Sequence, residues 1–302
     1  MKKVLLTGAG GFIGRHVLPA LIKHGYEVHA TFYPGEPIIV GDESIITYEC
    51  DLLNSKDRNS LIEEIKPTHL LHLAWYTKPK IYWEAIENVR WVEASLDLAV
   101  AFSELGGERA VFAGTCAEYD WSYGYCSETV TPVRPSTLYG ICKNSLHGVV
   151  SQLSKLRGFS YAWSRIFFTY GPHEKPERLV SAIITGLLKG EIVQCSSGIQ
   201  MRDFLFVEDL AFALATLLES EVNGPVNIGS GQPVAIKTVV TMIAEKLGKI
   251  ELVEFENRPL LESQPLLLLA NVNKLTSEVG WRPEHTLEEG IDLTINWLKR
   301  EL

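Results

Sequence analysis

A tyrosine and a lysine lie four residues apart in the segment PSTLYGICK, residues 135–143. On a helix, residues at this spacing share one face, so Tyr139 and Lys143 would hold a phenol and an ammonium group side by side. A tyrosine titrates at about pH 10, and a neighbouring positive charge stabilises its phenolate. The pair can therefore act as an acid/base, although the same spacing also occurs on helix surfaces that have no chemical role.

The elements that would position this pair follow an alternating pattern. Amphipathic stretches separate short apolar runs in the first half of the chain. The predicted strands are 4–6, 27–31, 45–48, 70–73 and 110–113, and the predicted helices are 13–24, 58–65 and 86–104. Such alternation is typical of an α/β fold in which helices cover both faces of a doubly wound parallel sheet.

The second half of the chain is less regular. Helices are predicted over 178–189, 209–219, 236–247 and 287–300, with proline- and glycine-marked loops between them. We expect a Rossmann-type domain over residues 1–165, to which residues 203–230 return. Residues 166–302 would then form a smaller, mixed region that binds the substrate.

A glycine-rich turn follows the first predicted strand and opens the first predicted helix. Gly8, Gly11 and Gly14 have the spacing G-x-x-G-x-x-G, and Phe12 and Ile13 lie within it. Glycines permit a tight turn and let backbone amides approach a pyrophosphate at the positive end of the helix. The turn predicts a dinucleotide site.

The choice between NAD and NADP is left open by the sequence. An acidic residue at the end of the second strand usually bonds the adenosine ribose, whereas an arginine pairs with the extra phosphate of NADP. Residues 29–33 read HATFY and contain neither. After the third strand, Asp51 is a candidate either to bond the adenine amine or to cap the next helix.

Composition excludes several other classes of protein. The 302 residues carry a net charge of −9, which lacks the basic excess of a nucleic-acid surface. Five scattered cysteines without CxxC spacing argue against disulfides and zinc, so we expect a reducing, cytoplasmic setting and no metal. Glycines interrupt the first apolar run too early for a signal sequence, and no run has the length of a membrane span.

Taken in order, these motifs resemble the extended short-chain dehydrogenase/reductase family of nucleotide-sugar epimerases, dehydratases and reductases. The resemblance covers nearly the whole chain. It includes the glycine turn, Tyr139 to Lys143, and the segments RIFFTYGP (165–172), RDFLFVEDL (202–210), NIGSG (227–231) and GWRP (280–283).

The resemblance implies a role for each matching residue. Tyr139 would be the acid/base, Lys143 would also bond the nicotinamide ribose, and Thr115 would bond the substrate oxygen. Further cofactor contacts are implied for Asp51, Leu52, Leu73 and Ala74.

The same resemblance assigns the nucleotide diphosphate of a sugar substrate to Arg202 and Arg258, because guanidinium groups bond phosphate oxygens bidentately. Arg178 lies near the helix that contacts the nucleotide. Phe168 stands where the family motif R-x-F-N-x-Y-G-P has asparagine, which would reshape the sugar pocket.

The residues after Thr115 restrict the reaction. Family members that remove water carry an Asp-Glu pair there, whereas this chain has Cys116 and Ala117. This disfavours dehydration, and the absence of an acid at Phe32 together with Phe168 favours reduction of a 4-keto-hexose on a nucleotide, with Tyr139 as proton donor. The alternative is C4 epimerisation with tightly bound NAD, and a third hypothesis is a non-catalytic sensor of NAD(P). The resemblance also implies a homodimer formed through helices 86–104 and 143–156.

Overall fold

The structure, a computed structural model, describes residues 2–38, 40–256 and 265–302. Its strands are short, as expected for an α/β fold: β1 Lys3–Thr7, β2 Glu27–Phe32, β3 Ile46–Glu49, β4 His69–His72, β5 Arg109–Thr115, β6 Tyr125–Cys126, β7 Ser160–Ile166, β8 Phe168–Tyr170, β9 Val193–Cys195, β10 Met201–Phe206, β11 Gly224–Ile228, β12 Pro233–Ala235, β13 Val253–Phe255 and β14 Leu267–Ala270.

Seven helices lie within three residues of the predicted ranges, whereas the helix over 138–157 begins five residues before the expected 143–156, and the short helix over 273–277 was not predicted. The helices are α1 Gly14–Lys23, α2 Ser55–Ile65, α3 Glu87–Glu104, α4 Leu138–Arg157, α5 Leu179–Leu188, α6 Val207–Glu219, α7 Ile236–Leu247, α8 Asn273–Ser277 and α9 Leu287–Glu301.

A seven-stranded parallel sheet organises the first half of the chain. Its strand order is β11-β7-β5-β4-β1-β2-β3. Leu5 packs into the core on one face, and its neighbour Leu6 packs into the core on the other. Successive strand residues point to opposite faces, so apolar residues at both positions require helices on both sides of the sheet. The predicted Rossmann-type doubly wound sheet is confirmed.

The order of this sheet places β1, β4 and β5 side by side. Because the strands are parallel, the residues that follow β1, β4 and β5 meet at one edge. The glycine turn, residues 73–75 and Thr115 therefore lie close together.

A second, smaller sheet has the order β12-β10-β14-β6, and β8 also pairs with β10. The β10–β12 pair is antiparallel and the β10–β14 pair is parallel, so the sheet is mixed, as predicted. Residues 125–126 of β6 join this sheet, whereas β11 lies at the edge of the first. The chain therefore passes between the two sheets more than once, and the division into 1–165 and 166–302 stays a prediction.

Candidate active site

Tyr139 lies in the first turn of α4. Thr137 is the N-cap of this helix, and its side-chain oxygen accepts a hydrogen bond from the amide of Gly140. This cap sets the start of the helix, so that Tyr139 faces the end of β5. The Thr115 side chain lies near enough to the Tyr139 hydroxyl to lower the pKa of the phenol.

Thr115 ends β5 and is fixed by a capping box. Its side-chain oxygen accepts a hydrogen bond from the amide of Ala117 at 3.2 Å, and its own amide donates to Oε1 of Glu118 at 2.9 Å. Glu118 is fully buried. Sequence reasoning missed this residue, although the spacing Thr-x-x-Glu is the known signature of a capping box.

Lys143 lies one turn after Tyr139 and is buried beneath the site. Its ammonium group donates a hydrogen bond to the carbonyl of Ala113 at 2.7 Å and lies 3.6 Å from the ring centroid of Trp75. Burial lowers the pKa of Lys143 to about 7, and the negative charge of Glu118 acts in the opposite direction. Trp75 is a second residue of the site to which no role had been assigned.

The protonation of Tyr139 differs from the simplest expectation. The sequence predicts a phenolate stabilised by Lys143, but burial raises the pKa of Tyr139, the neighbouring Tyr82 raises it further, and only the Thr115 side chain lowers it. In the protein alone, desolvation therefore keeps the phenol protonated. A protonated phenol is a proton donor.

The glycine turn fits the close approach of a dinucleotide. Gly8 has φ of +76°, and a Cβ atom on it would lie 2.9 Å from the backbone nitrogen of Ala74. A Cβ on Gly14 would overlap the carbonyl oxygen of Gly8. Only glycine therefore permits this packing of the turn against α1 and the loop after β4, with the first-turn amides of the helix directed at the turn. The predicted contacts Gly11, Phe12, Ile13 and Leu73 lie on the same two segments.

A buried hydrogen-bond network, which was not part of the predicted site, connects the end of β1 with the residues after β4. The Thr7 hydroxyl is 2.8 Å from Nδ1 of His72 and accepts hydrogen bonds from the amides of Leu73 and Ala74. The Nε2 atom of His72 lies 2.8 Å from the hydroxyl of Ser95. Burial first, and then the charge of Lys143, lower the pKa of His72 to about 3. His72 thus supports the turn as a neutral side chain.

This arrangement predicts a loss of stability in acid. Because the pKa of His72 is about 3 in the folded protein and 6.5 in the reference state, the unfolded chain binds a proton first as the pH falls below 6.5. The contribution of His72 to the free energy of unfolding is complete above pH 6.5. It decreases by about 1.4 kcal/mol per pH unit as the pH falls toward 3. We expect the free energy of unfolding, measured with urea at pH 7 and pH 5, to change less with pH in His72→Gln than in the wild type.

The control for this experiment is His24→Gln at the C-cap of α1, outside the Thr7 network. This variant should keep the pH dependence of the wild type. Equal pH slopes for His72→Gln and wild type would show that His72 does not titrate across the unfolding transition in this way.

Asp51 and Leu52 follow β3, as expected. Oδ1 of Asp51 accepts a hydrogen bond from the amide of Leu53, and Leu52 is buried. The N-cap of α2 is Asn54, whose side chain accepts from the amide of Lys56. The alternative role of Asp51 as the cap of this helix is therefore wrong, and its contact with adenine stays a prediction.

Aromatic rings surround the other side of Tyr139. The ring centroids of Tyr82 and Trp83 lie 5.0 and 5.8 Å from that of Tyr139, and both contacts are edge-on. Trp121 lies 6.3 Å from Trp83. Tyr82 and Trp83 therefore contact Tyr139 directly, and Trp121 lies one ring further away.

Two of the three predicted substrate arginines each lie near an aromatic ring. The guanidinium carbon of Arg178 lies 5.3 Å from the ring centroid of Tyr82, and that of Arg202 lies 5.6 Å from the ring centroid of Phe168. Arg202 is buried, and its charge is felt by Cys116. Arg258 lies outside the described residues, so its predicted role is not addressed by the structure.

Within the described ranges, no group of three histidine, cysteine, aspartate or glutamate side chains is arranged to hold a metal ion. The same part of the chain contains no helix of the length and apolarity that crossing a membrane requires. The five cysteines are free thiols.

A parallel sheet with a glycine turn at its carboxyl edge, beside a Thr-Tyr-Lys set, defines a dinucleotide-dependent enzyme of the short-chain dehydrogenase/reductase class. The chain belongs to the NAD dependent epimerase/dehydratase family, whose family model matches residues 4–229. NAD is therefore the cofactor, and its contacts with the glycine turn and Lys143 stay predictions.

The chain is also similar to individual proteins of known name. UDP-glucuronic acid decarboxylase 1 of Xenopus tropicalis is 29% identical over 313 residues, which cover 100% of this chain and 73% of the relative. The dTDP-6-deoxy-L-talose 4-dehydrogenase (NAD(+)) of Aggregatibacter actinomycetemcomitans is 26% identical over 257 residues, or 82% of this chain and 92% of the relative. The UDP-glucose 4-epimerase of Thermus thermophilus, solved in complex with NAD, superposes with a TM-score of 0.88 at 26% identity, covering 99% of this chain and 100% of that chain.

Proposed function

We propose that this enzyme reduces the 4-keto group of a nucleotide-activated hexose. The observation that carries the proposal is the arrangement around Tyr139, which is protonated, lies near the side chain of Thr115 and contacts the rings of Tyr82 and Trp83. The names of the relatives support the substrate class, because each of the three acts on a nucleotide-linked sugar and two are named for chemistry at C4.

The mechanism assigns one task to each side chain. NAD supplies the hydride in its reduced form when it is bound. Thr115 donates a hydrogen bond to the keto oxygen and orients it, and Tyr139 donates its proton to that oxygen as negative charge develops there. Lys143 provides a positive charge below Tyr139, which stabilises the phenolate that remains after proton transfer.

Arg178 and Arg202 supply the positive charge for the diphosphate of the substrate. Both guanidinium groups already lie against aromatic rings next to the site, on Tyr82 and Phe168 respectively. Nη1 of Arg202 donates a hydrogen bond to the carbonyl of Met201 at 2.9 Å, and we assign its other N–H groups to phosphate oxygens.

Elimination has little support from the residues after Thr115. Cys116 is buried, and burial raises the pKa of its thiol well above the ordinary range, so the thiol is neither an acid nor a base near neutral pH. Ala117 has no ionisable group. Neither residue offers an acid or a base for elimination, whereas Tyr139 supplies the one proton that a reaction at one carbon needs.

Reduction is favoured over C4 epimerisation by the crowding around Tyr139. An epimerase must present both faces of its keto intermediate to the same cofactor, so the sugar has to turn within the site. The rings of Tyr82 and Trp83 abut Tyr139, and Phe168 replaces the usual polar residue. These rigid walls restrict the rotation that inversion requires.

The two reactions are separated by their use of cofactor. Purified protein is incubated with a nucleotide-linked 4-ketohexose and NADH, and separately with UDP-glucose and a trace of NAD. Reduction predicts that NADH absorbance falls in step with the alcohol product seen by NMR. Conversion of UDP-glucose to its C4 epimer, with no net change in cofactor, would show instead that the enzyme is an epimerase.

We also propose a homodimer in which α3 and α4 of two copies pack together. Apolar side chains are exposed on these helices: Val89 on α3 is 46% exposed, and Ile141 and Val149 on α4 are 47% and 50% exposed. One face of α4 carries residues 141, 145, 148 and 149. Because Ser145 and Gly148 on this face are small, two such helices would approach closely. Light scattering should give about twice the chain mass of 33.7 kDa, and a monomer mass at micromolar concentration would contradict this proposal.

A further inference from the structure

The end of β2 cannot hold the adenosine ribose in the usual way. Phe32 occupies the position of the usual acid and is only 2% exposed. The ring packs against the glycine turn, with Cδ1 3.3 Å from the place that a Cβ atom on Gly10 would take. A hydrocarbon ring accepts no hydrogen bond from a ribose hydroxyl, so the ribose needs an acceptor from elsewhere in the chain.

The chain turns back immediately after Phe32. The amide of Glu36 donates a hydrogen bond to the carbonyl of Tyr33 at 3.0 Å, and Gly35 has φ of +81°. Proline at the second position of this turn and glycine at the third, as in Tyr33-Pro34-Gly35-Glu36, are typical of a type II turn. Local sequence therefore directs residue 36 back toward the glycine turn.

This turn brings a carboxylate to the same glycine. Oε2 of Glu36 lies 3.2 Å from the place of a Cβ atom on Gly10, on which the Phe32 ring also packs. Beside it is a cavity of about 200 Å³ lined by Ala9, Gly10, Arg15, His16, Phe32, Pro37 and His173. The cavity thus opens next to an acid that comes from four residues beyond the usual position.

Arg15 lines this cavity, and three of its five N–H groups have partners. Nη2 donates to the carbonyl of Gly10 at 2.8 Å, Nε donates to that of Gly11 at 3.3 Å, and Nη1 lies 2.8 Å from Nδ1 of His173. Arg15 therefore braces the glycine turn. The Glu36 carboxylate lies beside this cavity at Gly10, and its negative charge acts to raise the pKa of Arg15.

We propose that Glu36 binds the adenosine ribose hydroxyls of NAD and excludes the 2′-phosphate of NADP. A carboxylate accepts hydrogen bonds from both hydroxyls of a ribose, and its charge repels a phosphate at the same place. This inference concerns the cofactor alone and does not depend on the sugar substrate.

The test measures dissociation constants of NAD⁺ and NADP⁺ by calorimetry on the full chain without a sugar. Wild type should bind NAD⁺ at least about ten-fold more tightly than NADP⁺, in keeping with a hydrogen bond to a charged group. Glu36→Gln should weaken NAD⁺ binding about ten-fold, bind NADP⁺ more tightly than wild type, and keep the melting temperature because Glu36 is exposed.

Two further variants make the result decisive. Glu43→Gln, an exposed acid in the same loop region, should leave both dissociation constants unchanged. If wild type prefers NADP⁺ and Arg15→Gln removes that preference, Arg15 binds the 2′-phosphate and the proposal is wrong. A change of less than two-fold in either constant for Glu36→Gln would also overturn it. Because no sugar is present, failure here leaves the proposed reduction untouched.

Discussion

Replacing Tyr139 by phenylalanine is expected to reduce turnover by about two to four orders of magnitude, the usual contribution of a positioned acid. The variant removes one oxygen atom, the phenol oxygen near the side chain of Thr115. The dissociation constant of NAD⁺ should change little, because the glycine turn and Lys143 remain. Steady-state kinetics with NADH and a nucleotide-linked 4-ketohexose, together with calorimetry, provide the two measurements.

The matched control for this loss is Tyr161→Phe. Tyr161 is also a buried tyrosine, and its hydroxyl lies 3.4 Å from Nε2 of His147, away from the site. This variant should keep nearly full turnover. If Tyr139→Phe retains more than a tenth of wild-type turnover, the proton comes from another group. If the wild type itself is inactive, a non-catalytic sensor of NAD becomes the better hypothesis.

Removing the carboxylate of Glu118 is expected to lower the free energy of unfolding by about 3–5 kcal/mol, the range for breaking a buried ion pair. Oε2 of Glu118 accepts a hydrogen bond from Nε of Arg165 at 2.8 Å, and Oε1 accepts from Nε1 of Trp163 and from the amide of Thr115. The two charged side chains are 0% and 2% exposed. Glu118→Ala would leave the guanidinium group buried without its counter-charge.

Chemical denaturation of Glu118→Ala tests this expectation. Its control is Glu104→Ala, which breaks the surface pair between Glu104 and Arg157, where the side chains are 54% and 43% exposed. That pair should contribute at most about 1 kcal/mol, because water screens both charges. A loss at Glu118 no larger than the loss at Glu104 would contradict the importance of the buried pair.

The effect at Glu118 should extend to catalysis. This carboxylate holds the amide of Thr115 through the capping box, and its charge opposes the effect of burial on the pKa of Lys143. A folded Glu118→Gln variant should therefore show a lower kcat and an altered pH profile. If Glu118→Gln changes KM but leaves kcat and the pH profile as in the wild type, Glu118 only supports the fold.

The central sheet was predictable because its signals are local. Buried parallel strands read as short apolar runs, and amphipathic stretches between them read as helices, as in β1, α1 and β2. The glycine turn was equally clear, since Gly8 and Gly14 meet requirements of the backbone itself. The second sheet was harder, because β6 and β8 have only two and three residues and pair with distant segments.

By itself, the sequence determined the class of fold, the dinucleotide turn and the Tyr139–Lys143 pair, because each depends on residues close together in the chain. Only the tertiary structure decided that Glu118 caps Thr115, that Tyr82 and Trp83 enclose Tyr139, and that Glu36 reaches Gly10. The protonation of the site was likewise decided in three dimensions. Desolvation of Tyr139 and Lys143 depends on everything packed around them, and no spacing along a chain records that quantity.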